Sequence, residues 1–133
     1  MPSQNPIRLR MLRVLLAADA AVLVAFGALF MAVPGKVTLA FGFTDLPQAV
    51  GYMIGLWGCA LISLGIGYAF AIADPVRHIT WVRVGIIRGA LECAFGFAVV
   101  GQHLVTWHQA GFGTILAGFI ATGYLLLYPK EPA

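Results

Sequence analysis

Residues 46–73 read LPQAVGYMIGLWGCALISLGIGYAFAIA, and Asp74-Pro75 follows directly. The run contains no Asp, Glu, Lys, Arg or His. About 20 helical residues cross a bilayer core of about 30 Å, so this stretch is long enough to span a membrane with residues to spare. Its glycines would weaken a helix in water, but small residues let helices in lipid approach one another closely. The stretch is therefore read as a membrane helix, and the question becomes how many others accompany it.

Three more runs qualify, which gives expected spans at 11–33, 49–73, 81–102 and 110–128. The second and fourth runs carry no charge, whereas Asp19 interrupts the first and Arg88 and Glu92 interrupt the third. The composition agrees. Of 133 residues, 61% are hydrophobic and 10% charged, against about 45–50% and about 25% in soluble domains. The fold class expected is all-α: a single transmembrane domain formed by an integral membrane four-helix bundle.

Turn chemistry separates the runs. Pro34-Gly35 should end helix one, because proline cannot continue a helix and glycine accepts the reversed backbone beyond it. Thr44 or Asp45 can cap helix two, with Pro47 in its first turn. Asp74 should cap helix three across a very tight turn, with Pro75 opening it, and Pro129 should stop helix four. Val37, Leu39, Phe41 and Phe43 alternate with smaller or polar residues, so 36–43 is read as an outer loop lying on the membrane or under a neighbour.

Basic residues set the expected orientation. Arg8, Arg10, Arg13, Arg77, Arg83 and Lys130 fall on one side of a four-span arrangement and Lys36 alone on the other, which places both termini in the cytoplasm. The arginines ahead of 14–32 also fit a signal peptide loosely, but the segment is read as the first membrane helix. Trp81 and Tyr128 belong to the inner rim and Tyr52 and Trp107 to the outer. The formal charge of +3 is too scattered for a nucleic-acid patch, so the expected partners are the lipid bilayer and other integral membrane subunits.

Asp19, Arg88 and Glu92 are the sharpest candidates, because a charge inside a membrane costs several kcal/mol, to order of magnitude, unless it is paired or hydrated. Helices one and three run in the same direction and bring Asp19 and Arg88 to similar depth. Glu92 lies one turn beyond Arg88 on a face that also carries Gly85, Gly89 and Gly96. Ser63, Tyr68 and Tyr124 can reach the same region. Two readings stay open: an ion network that fixes helix register, or a proton path, anion site or quinone headgroup site.

Other motifs point less far. His103 and His108 share the outer rim and are possible rim ligands for a tetrapyrrole or metal supplied with a partner, while His78 lies at the inner rim, so the three do not converge on one metal. Cys59 and Cys93 lie in apolar runs and read as packing residues. No nucleophile–base pair, metal-binding His-Glu motif or phosphate-binding glycine loop is present; Gly111-Phe112-Gly113 lacks the third glycine. Gly51, Gly55 and Gly58 form a small-residue stripe expected to face a partner.

In size, spacing of spans and its glycine-rich second span after Pro34, the chain resembles the small four-helix DoxX-like bacterial membrane proteins. That resemblance implies the bacterial cytoplasmic membrane and an accessory role beside a membrane redox system, and no functional residue is carried over from it. The function expected is a non-catalytic accessory subunit of a larger energy-converting or redox complex, any quinone or tetrapyrrole being shared with the partner. The alternative is a self-contained site built on Asp19, Arg88 and Glu92, serving as a proton or small-molecule conduit or a quinone-linked oxidoreductase.

Overall fold

A computed structural model describes residues 5–130, and all regular structure among them is helical. In chain order the helices are α1 (Pro6–Ala32), α2 (Pro34–Ala40), α3 (Gln48–Ala73), α4 (Ile79–Gly101) and α5 (Trp107–Leu126). All but α2 are long and apolar enough to cross a membrane.

The helix ends differ from the sequence expectation in instructive ways. The Asn5 side chain accepts the Ile7 N–H at 3.0 Å and Pro6 takes the first helical position, so α1 starts before Met11 and carries Arg8, Arg10 and Arg13 in its opening turns. Pro34 both ends α1 and begins α2. Residues 34–40 are thus a short helix rather than a loop, and its Val37 packs on the core. Neither Thr44 nor Asp45 caps α3, whose N-cap is Pro47 without a side-chain bond; Asp45 instead takes φ 59° in the connection. Asp74 accepts the Arg77 N–H at 3.1 Å and organises the turn, but α4 opens later, after His78. At the next junction Thr106 and Gln109 form a reciprocal capping box that starts α5 at Trp107.

Packing is organised as two helix pairs, α1 with α3 and α4 with α5, which touch each other much less than the partners within each pair do. Glycine makes each pair possible. A Cβ on Gly58 would stand 2.6 Å from the Gly27 carbonyl oxygen, and one on Gly89 would stand 2.7 Å from the Ala117 oxygen, closer than carbon and oxygen can approach. Between the pairs lie long side chains: Leu12, Leu16, Leu23, Leu61, Tyr68, Val82, Ile120 and Tyr124 are buried there. Towards the α2 end, Phe112 of α5 meets Phe26 and Phe41, with ring centroids 6.5 and 6.2 Å away.

Arginines close the opposite end. Arg8 donates to the Leu126 carbonyl at 2.6 Å and Arg13 to the Ala73 carbonyl at 3.1 Å, satisfying carbonyls at the C-terminal ends of α5 and α3 that lack helical partners. The start of α1 and the ends of α3 and α5 therefore share one end of the bundle.

Candidate functional site

Each of the four long helices contributes a polar side chain to one cluster. Asp19 comes from α1, Tyr68 from α3, Arg88 and Glu92 from α4, and Tyr124 from α5. Arg88 is the hub. Its Nη2 donates to both carboxylate oxygens of Asp19, at 2.8 and 2.9 Å, its Nε donates to the Tyr68 hydroxyl at 3.2 Å, and its Nη1 reaches Glu92 Oε2 at 3.4 Å. The Tyr124 hydroxyl donates to Asp19 Oδ2 at 2.7 Å, so Asp19 is held from two helices at once.

Local packing explains why these side chains meet. Gly85, one turn before Arg88, leaves room for the Tyr124 ring: a Cβ there would lie within 2.8 Å of Tyr124 Cδ2. The Tyr68 and Tyr124 rings stack at 6.2 Å with 20° between their planes, and the Trp81 ring stands edge-on to Tyr68 at 5.8 Å. The Arg88 guanidinium lies 5.5 Å from the Tyr68 ring centroid, which adds a cation–π contact. Trp81, expected at the rim, is consequently part of the wall around the cluster.

Burial divides the cluster. Asp19 is almost fully buried, with 1% of its side chain exposed, and Arg88 is 13% exposed, whereas Glu92 is 40% exposed. Glu92 lies about 20 Å from the start of α4 and about 14 Å from its end, near mid-span, and a glutamate is too short to reach either interface from there. With both carboxyls ionised, two negative charges face one positive charge, leaving one negative charge uncompensated among the described residues.

The structure brings Asp19, Arg88 and Glu92 together, with the Arg88–Asp19 contacts shorter than the Arg88–Glu92 contact. Tyr68 and Tyr124, weighed only as residues in reach, are full members; Ser63 is not, because its hydroxyl donates to the Cys59 carbonyl of its own helix at 2.9 Å. The glycine stripe does not form one outward face. Gly58 is buried against α1, Gly51 lies within reach only of Pro34, and Gly55 has open space beside it. His103 occupies a turn at φ 58°, and His108 packs beside Gly42. Among the described residues no three His, Cys, Asp or Glu side chains gather in a way that could hold a metal.

No family model, curated protein or solved structure matches the chain.

Proposed function

We propose that this chain is a non-catalytic accessory subunit that packs through α4 against another integral membrane polypeptide in a larger energy-converting or redox complex. The observation that carries the reading is Glu92: a half-exposed carboxylate near mid-span, beside an ion pair that already satisfies Asp19. Lipid offers a carboxylate neither hydrogen bonds nor counter-charge, so a neighbouring helix bearing a basic or hydrogen-bond-donating side chain is its natural cover. Among its described residues a second copy of this chain has no cation at that depth other than Arg88. Its described cations other than Arg88 lie near the helix ends or in the connections, and Arg88 is engaged.

The remaining cluster supports a structural role. Asp19, Arg88, Tyr68 and Tyr124 bond to one another from four helices, and no buried side-chain nitrogen or oxygen among the described residues lacks a partner. Such a closed set fixes the rotation and height of each helix, and offers a substrate no unpaired group. The basic asymmetry supports termini on the cytoplasmic side of a bacterial membrane.

A photo-crosslinking amino acid at Leu91 or Phe95, both exposed beside Glu92 on α4, tests the reading in intact membranes. Adducts to one polypeptide are expected at these positions and not at Leu29 on α1. Lipid adducts alone at all three would remove the basis for an accessory role on this face, and would favour the self-contained site on Asp19, Arg88 and Glu92.

A further inference from the structure

The opening turns of α1 and the last turn of α3 border an open groove of about 510 Å³, lined by Pro6, Leu9, Arg10, Arg13, Val14, Ala17 and Ile72. Arg10, Arg13, Val14 and Ala17 follow the i, i+3, i+4, i+7 spacing of one helix face. The two arginines open this face, and Val14 and Ala17 continue it as an apolar strip about 6 Å beyond Arg13, towards the middle of the span. Arg10 is exposed, and it makes no hydrogen bond or ion pair with another described residue. Arg13 spends one nitrogen on the Ala73 carbonyl, which orients its guanidinium and leaves further N–H donors for a ligand.

We propose that this groove binds an anionic glycerophospholipid, with its phosphate between Arg10 and Arg13 and one acyl chain along Val14, Ala17 and Ile72. The amphiphilic order is what selects the ligand. Two guanidiniums at the level of the headgroups match a phosphodiester, and the apolar strip directly below them matches a chain attached to it. A zwitterionic lipid carries its own ammonium beside the phosphate, which offsets the attraction. This inference does not depend on the accessory-subunit reading.

The test is native mass spectrometry of the full chain in detergent, offered equal amounts of phosphatidylglycerol and phosphatidylcholine with the same acyl chains. The expected result is preferential retention of phosphatidylglycerol, falling about five-fold for each of Arg10→Gln and Arg13→Gln. Ala17→Phe keeps both charges but fills the strip, and should also lower retention. Arg77→Gln, which removes a charge outside the groove, should leave retention unchanged. Equal retention of the two lipids, undiminished retention in Ala17→Phe, or equal loss in Arg77→Gln would overturn the proposal. Displacement of the lipid by an equal concentration of inorganic phosphate would also overturn it, because it would show a simple anion site.

Discussion

One nitrogen of Arg88, Nη2, reaches both oxygens of Asp19, at 2.8 and 2.9 Å, and the pair joins two helices that belong to different halves of the bundle. Apolar side chains fill most of the seam between those halves, and the Tyr124–Asp19, Arg88–Tyr68 and Arg8–Leu126 hydrogen bonds also cross it, but this pair joins two oppositely charged side chains. Arg88→Ala should leave two carboxyls without their cation and lower folded stability, by up to about 3–5 kcal/mol on the scale of buried pairs in soluble proteins. Asp19→Ala combined with Arg88→Ala should be milder than the sum of the single changes. Reversible unfolding in detergent for the two single variants and the double variant measures this, and simple additivity would show that the residues do not interact.

The two tyrosines are predicted to differ. Tyr124→Phe removes a buried donor from a carboxylate and should cost about 1.5–3 kcal/mol, whereas Tyr68→Phe removes only an acceptor at 3.2 Å from Arg88 and should cost less. Both variants keep the ring stack, so the comparison isolates the hydroxyls. The same unfolding measurement ranks them, and a larger loss for Tyr68→Phe would mean that the hub is held through Nε rather than through Asp19.

Helix two of the sequence reading supplies a third prediction. Gly58→Leu should separate α1 from α3 and abolish the folded bundle, because the Gly27 backbone occupies the space the side chain needs. Gly55→Leu should be tolerated, since nothing lies within 4 Å of the position. Thermal unfolding of the two variants checks this. Equal tolerance would contradict the close crossing.

Much of this architecture was legible from composition and punctuation. The four spans follow from apolar length, and Pro34 and the 74–75 pair mark real chain reversals, because proline acts locally whatever surrounds it. The meeting of Asp19, Arg88 and Glu92 was legible from depth, since helix rise is fixed. Which glycines face inward was not. Gly51, Gly55 and Gly58 share a helix face by spacing, and only the position of α1 decides that Gly58 is buried while Gly55 has room beside it. Trp81 illustrates the same limit, because a rim aromatic and a cluster wall have one sequence signature. The T-x-x-Q pattern of Thr106 and Gln109 ahead of an apolar run is the sequence signature of the capping box found there.

Orientation supplies a fourth prediction. With Cys59 and Cys93 replaced, a cysteine at Lys36 should react with a membrane-impermeant maleimide from outside intact cells, and one at Arg77 should react only after the cells are opened. The basis is the six-to-one distribution of basic residues. Outside labelling at 77 would reverse or break the four-span topology.

Gentle extraction followed by native mass spectrometry of wild type and Glu92→Gln tests the proposal that another membrane polypeptide covers the face marked by Glu92. The Arg88–Glu92 contact, at 3.4 Å, is the longest in the cluster, so the glutamine variant should keep the bundle folded with an unfolding temperature close to wild type. Wild type should emerge bound to one other integral membrane chain, and Glu92→Gln should weaken the association about ten-fold or more, as expected when one partner of a buried charged contact is removed. A wild-type chain that emerges alone, or a Glu92→Gln variant that retains its partner as wild type does, would contradict the proposal.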